Sequence, residues 1–127
     1  MKRLLLALTL VLVAPLAAQA QQLMGSYNAF IGQQDLFNSN GGRLSSAAQV
    51  LRQDRANYHR FGISQYGDDW DPYFGDINNR GRLEQLVNNG GLPPYVANAI
   101  MGGNVHIVVN VYGQNGWMQY VEIIVPG

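Results

Sequence analysis

Cysteine is absent from all 127 residues. Its absence excludes a disulfide framework, a thiolate metal site and a cysteine-linked lipid anchor. Lysine is almost absent as well. Lys2 is the single example, so the basic residues beyond position 20 are the six arginines Arg43, Arg52, Arg55, Arg60, Arg80 and Arg82. Eight acids stand against those six, which gives residues 21–127 a formal charge of −2. A weakly acidic chain has little attraction for nucleic acid or anionic lipid, so no nucleic-acid partner is expected. Long apolar runs are missing after position 20, and no stable membrane insertion is expected there. Neither G-x-G-x-x-G, nor a Walker A sequence, nor H-E-x-x-H occurs, and no cofactor is expected. Gly62-Ile63-Ser64-Gln65-Tyr66 begins like a nucleophile elbow but carries Tyr66 where that turn needs glycine.

What is present begins with a basic start, Met1-Lys2-Arg3, and an apolar run from Leu4 to Val13 broken only by Thr9. Ala18-Gln19-Ala20 then fits a small-residue cleavage site. Residues 1–20 therefore read as a cleaved secretory signal peptide, and residues 21–127 as one exported domain. The expected location is the periplasm or the exterior of a bacterium of Gram-negative type. Without disulfides the domain must hold itself together by packing.

Periodicity and turn chemistry order the rest. Tyr27 to Ile31 reads as a first strand closed by Gly32, and Asn38-Ser39-Asn40-Gly41-Gly42 as a turn. Leu44, Ala47, Leu51 and Tyr58 fall within about 40° on a helical wheel, with Ala48 and Phe61 widening the stripe. A helix of about sixteen residues follows, capped by Ser45 or Ser46 and ended by Gly62. A second helix is expected over residues 79–88 with Leu83, Leu86 and Val87 inward, stopped by Gly90-Gly91. A third runs from Pro93 or Pro94 to Met101. Val105 to Tyr112 and Trp117 to Val125 form a hairpin about Asn115-Gly116, the preferred pair for a type I′ turn. An uninterrupted register from Gln114 opposite Trp117 puts Val105, Ile107, Val109, Val111, Met118, Tyr120, Glu122 and Ile124 on the core face. His106, Val108, Asn110, Tyr112, Trp117, Gln119, Val121 and Ile123 take the other, which is too apolar for plain solvent surface. The predicted fold class is α+β, a small antiparallel sheet of the N-terminal strand and the C-terminal hairpin against about three helices, in the order β-α-α-α-β-β.

Chemistry concentrates between Tyr66 and Asp76. Asp68, Asp69, Asp71 and Asp76 place four carboxylates within nine residues, among Tyr66, Trp70, Tyr73 and Phe74. Carboxylates on a turn suit calcium, but the EF-hand spacing fails: Phe74 stands where a loop starting at Asp69 needs glycine. Flat aromatic faces beside hydrogen-bond acceptors suit a glycan or a protein surface. The structural alternative has Trp70 and Phe74 anchoring the loop in the core while the aspartates cap helices or meet arginines.

The first helix supplies a second group. Asp54 and Arg55 sit in or beside its apolar stripe, where charges are rarely buried unpaired. Arg55 and His59, four residues apart, are neighbours, with Arg52 close by. A catalytic reading makes His59 the base, Arg55 or Arg60 the anion stabiliser and a loop aspartate the partner. The structural reading pairs Asp54 and Arg55 to fix the helix against the loop, with His59 at the edge. His106, the only other histidine, shows no ligand spacing to His59 that would suggest zinc.

The sequence thus predicts a non-catalytic exported binding domain that contacts an envelope protein or glycan through Tyr66, Asp68, Asp69, Trp70, Asp71 and Tyr73. One alternative is a small metal-independent cell-envelope hydrolase using His59, Arg55 and a loop aspartate such as Asp69. Another is a calcium-stabilised module built on Asp68, Asp69, Asp71 and Asp76. The ligand and the oligomeric state stay open.

Overall fold

β-Branched and aromatic residues gather at the two ends of residues 21–127, and in the computed structural model, which describes those residues, the two ends pair. The signal-peptide reading of residues 1–20 lies outside the described residues. β1 (Gln22–Ile31) lies antiparallel to β2 (Val105–Gln114), which lies antiparallel to β3 (Trp117–Ile124), in the order β1-β2-β3. Between β1 and β2 the chain makes a 3-10 turn (Gln33–Leu36) and three helices, α1 (Ala47–His59), α2 (Ile77–Gly90) and α3 (Pro94–Gly102). The architecture is α+β, with the expected element order plus that short 3-10 turn.

Local chemistry explains the boundaries. The Ser46 hydroxyl accepts from Gln49 N–H, and the Gln49 amide oxygen accepts from Ser45 N–H, so both ends of the first turn of α1 are tied. Asp76 Oδ1 accepts from Asn78 N–H and Asn79 N–H and starts α2 two residues before the expected position. α3 begins on Pro94, whose fixed φ suits a first helical turn. Phe61, placed by the sequence on the stripe of α1, lies past its end and is half-exposed. β1 starts five residues earlier than Tyr27, because β2 is long enough to pair back to Gln22.

The core lies between one face of the sheet and the helices. Tyr27, Ala29 and Ile31 of β1 and Ile107, Val109 and Val111 of β2 meet Val50 and Leu51 of α1, Leu83 of α2 and Ile100 of α3. The hairpin turns at Asn115 and Gly116, both with positive φ, as a type I′ turn requires.

The register departs from the uninterrupted one in a way that reverses half of β3. Gly113 faces Met118, but Tyr112 faces Tyr120, leaving Gln119 as the extra residue of a β-bulge. Beyond it Val121 and Ile123 turn into the core, while Tyr120, Glu122 and Ile124 face outward. This corrects the expected face assignment and accounts for the apparent surplus of apolar residues on the outer face. Glu122 shares that face with His106, contrary to the expected register. It accepts from Asn110 Nδ2 at 3.0 Å, and Asn110 in turn accepts from the Ser26 hydroxyl, so one polar row crosses all three strands.

Close approach explains the glycine beside the bulge. A Cβ on Gly113 would lie 1.9 Å from the Trp117 carbonyl oxygen and 2.8 Å from Met24 Sδ. Gly113→Ala is therefore expected to lower unfolding free energy by about 2 kcal/mol, the scale of overpacking. Gly102→Ala, at a position with nothing within 4 Å, is the control and should be neutral in the same urea titration.

Candidate functional site

The inward face of α1 carries Asp54, Arg55 and Asn57, all buried. A guanidinium stays protonated at any ordinary pH, so burial obliges its surroundings to supply acceptors. Arg55 Nε donates to Asp54 Oδ2 at 2.8 Å, and Nη1 donates to Asp71 Oδ2 at 2.9 Å and to the Asp69 carbonyl oxygen at 3.0 Å. Nη2 lies 3.5 Å from Asp68 Oδ1, within ion-pair range but without hydrogen-bond geometry. The Tyr27 and Tyr58 rings lie against the guanidinium, their centroids 4.5 and 4.8 Å from its carbon. Arg55 therefore joins α1 to β1 and to the 66–76 loop.

The same aspartates close the free edge of β1. Asn28 N–H donates to Asp69 Oδ2, Phe30 N–H to Asp68 Oδ1 and Gly32 N–H to Asp35 Oδ2, at 3.1, 2.8 and 2.9 Å. These are alternate residues, the ones whose amides point away from β2. Asp69 N–H also donates to Asn28 O at 2.9 Å, so the loop is held against the strand by backbone as well as side chain. At its start Gly67, with φ +100°, passes close to the Phe30 and His106 rings, which are tilted at 54° to each other, and a Cβ there would lie 2.5 Å from His106 Cε1.

Each sequence-predicted residue has a definite place. Asp71 lies at the centre: Oδ2 takes Arg55 and, at 2.7 Å, His59 Nε2, while Oδ1 takes Tyr73 N–H and Phe74 N–H. Asp68 Oδ2 accepts from Gln65 N–H, closing the turn before it. Asp76 caps α2, away from this cluster. Tyr73 is half-buried against Phe74, with its hydroxyl over Gly25. Phe74 is in the core, as the structural reading had it, whereas Trp70 is not: Trp70 is 66% exposed and Tyr66 97%. Among the described residues no group of three or more His, Cys, Asp or Glu is placed to hold a metal ion.

Three members escape a reading by sequence. Asp35 accepts from Asn57 Nδ2 at 2.8 Å, and Gln65, with its amide nitrogen turned toward them, donates to Asp35 Oδ2 and to Phe30 O. Gly32-Gln33-Gln34-Asp35 holds the one available signal, a carboxylate three residues after a strand end. Asn57 and Gln65 give none.

The cluster holds more carboxylates than cations, and this shows in its protonation. Burial raises the Asp54 carboxyl well above the ordinary range; Arg55 opposes this, and Asp35 and Asp68 add to it. Burial likewise raises Asp35 against its hydrogen bonds from Asn57 and Gly32. Asp71 moves the other way: burial would raise it, but the hydrogen bonds from His59, Phe74 N–H, Arg55 and Tyr73 N–H together hold it below its ordinary value.

The signs follow by linkage. The Asp71 contribution is complete above about pH 4, the unfolded value, and is lost as pH falls through the depressed folded one. Those of Asp54 and Asp35 are complete below about pH 4 and are lost as pH rises through their raised values. Asp71→Asn should cost about 3 kcal/mol at pH 7, the scale for breaking a buried pair. Asp54→Asn should flatten the decline in stability between pH 4 and neutrality, read by urea titration across that range.

Comparison of the chain with protein-family models, with curated proteins and with solved structures gives no significant match, so its function is read from its own geometry.

Proposed function

We propose that the protein is an exported, non-catalytic binding domain that contacts an envelope protein or a glycan through the 66–76 loop. The observation that carries this reading is the division of labour within the loop. Asp68, Asp69 and Asp71 are tied to the interior or to β1, while Tyr66, two residues before the first of these anchors, and Trp70, between Asp69 and Asp71, project into solvent. Aromatic rings on a fixed backbone give large contact area at small entropic cost, the property of binding surfaces. Asp69 stands exposed beside Trp70 and supplies a carboxylate edge for hydroxyl or amide donors. Tyr73, expected among the contact residues, has its hydroxyl against β1 and belongs to the support of the loop.

A second reading rests on the His59–Asp71 pair, an imidazole held 2.7 Å from a carboxylate that Arg55 also grips. In a hydrolase His59 would act through Nδ1, which faces the Gly75 backbone side of the loop. No serine, threonine or cysteine hydrogen-bonds to His59 among the described residues, so this reading would use water as the nucleophile.

Tyr66→Ala with Trp70→Ala should change unfolding free energy by no more than about 0.5 kcal/mol, as at exposed sites generally. Immobilised wild-type protein should retain a ligand from envelope extract or from a panel of envelope glycans, and the double variant should lose it. Equal retention by both removes the loop from binding. His59→Gln decides the second reading: turnover of envelope glycan by the wild type that disappears in the variant would establish it.

A further inference from the structure

On the side of α1 away from Arg55, three of the six arginines beyond residue 20 come together. A cleft of about 300 Å³ between α1 and α2 is lined by Arg52, Arg60 and Arg80 with Gln49, Gln53 and Glu84. Their charges are poorly matched. Arg52 pairs with Glu84 at 2.8 Å, but Arg60 and Arg80 have no carboxylate within ion-pair range among the described residues. Arg80 is 95% buried and donates from Nη1 alone, to the Phe74 and Gly75 carbonyl oxygens at 2.9 and 3.2 Å. Its Nε and Nη2 have no hydrogen-bond partner among the described residues and are not sealed from solvent, and Arg80 lines the cleft. Burial lowers the Arg80 pKa, and Arg60 and Arg52 lower it further, as expected of guanidiniums facing one another. Residues 21–127, with six arginines against eight acids, thus keep an excess of two positive charges in one recess.

A second cleft of about 510 Å³ adjoins the first, sharing Ser39, Gln53 and Phe61 with it. Its other walls include Phe37 and Ile63, and all three apolar side chains are between 39% and 42% exposed. Phe61 joins the two halves, with the Arg60 guanidinium 5.0 Å from its ring centroid. A cationic recess adjoining one where Phe37, Phe61 and Ile63 stand among the uncharged polar residues Gln34, Asn38 and Asn57 matches a particular ligand chemistry: an oxyanion on a hydrocarbon or aromatic body.

We propose that these adjoining clefts form one binding site for a small amphiphilic anion, its carboxylate or phosphate held by Arg52, Arg60 and Arg80 and its apolar body lying along Phe61, Ile63 and Phe37. The oxyanion supplies the counter-charge that the protein does not provide, and its planar or tetrahedral oxygens suit paired guanidinium donors. No residue of the 66–76 loop lines these clefts, which touch it only through the Arg80 bonds to Phe74 and Gly75, and the site stands whether or not Tyr66 and Trp70 bind a partner.

Isothermal titration of the protein with octanoate, octyl phosphate, 1-octanol and inorganic phosphate, each below its aggregation concentration, tests both halves. At least one alkyl anion should bind about tenfold or more tighter than octanol and than inorganic phosphate, since one charge-assisted contact is worth about that factor. Which of the two binds tighter distinguishes a carboxylate from a phosphate source. Arg52→Gln with Arg60→Gln avoids the structural bonds of Arg80, and should weaken the alkyl anion about tenfold while leaving octanol and the melting temperature unchanged. Phe61→Ala should weaken the alkyl anion and leave inorganic phosphate unchanged. Alkyl anions that bind no tighter than octanol, or that bind the double arginine variant as well as the wild type, overturn the proposal. Inorganic phosphate binding as tightly as octyl phosphate overturns its apolar half.

Discussion

A buried guanidinium cannot lose its proton to escape the interior, and the placement of Arg55 under the sheet organises much of what surrounds it. Its partners come from two places in the chain: Asp54 beside it, and Asp68 and Asp71 with the Asp69 carbonyl from a loop 13 to 16 residues on. A loop without periodicity of its own is thereby held as firmly as a helix. The excess of carboxylates around one cation is tolerated because several oxygens are also met by backbone N–H groups. Asp71 shows this most fully, with four donors on two oxygens.

The loop gains a second role from the same contacts. Asp68 Oδ1 lies in ion-pair range of Arg55 and also accepts from Phe30 N–H, and Asp69 gives its carbonyl oxygen to Arg55 and its carboxylate to Asn28 N–H, so neutralising the buried cation and protecting a strand edge are one arrangement. This is why the Asp68 and Asp71 carboxylates are inside while the Tyr66 and Trp70 rings are outside, the reverse of what residue type alone suggests. Burial of an acidic side chain needs donors, and an unpaired strand edge is a row of donors. Tyr66, ahead of the anchors, and Trp70, between two of them, have no such claim on the interior.

Much of the fold was legible from local signals. The stripe of α1, its serine cap, the glycine stops after α2 and α3, and Asn115-Gly116 each act over a few residues. The α+β class followed from them. What escaped was set at longer range. The bulge at Gln119 depends on Gly113 meeting the Trp117 carbonyl, and one extra residue reverses every side chain beyond it. Asp54 and Arg55 were recognisable as charges on an apolar stripe that require partners, but which carboxylates answer depends on how the loop returns. Arg80 carries a similar signal, since it precedes Leu83 and Val87 at helical spacing on the inner side of α2. Its neighbours Arg52 and Arg60 come from α1, a pairing that only the packing of two helices creates.

The two borders of the sheet are unlike. Along β1, carboxylates occupy the outward amides at Asn28, Phe30 and Gly32; along β3, Arg82 Nε reaches the Met118 carbonyl, and no backbone partner is present among the described residues. A strand added along residues 28–32 of β1 would have to displace those carboxylates from their amides, whereas a strand added along β3 would meet no such cover among the described residues.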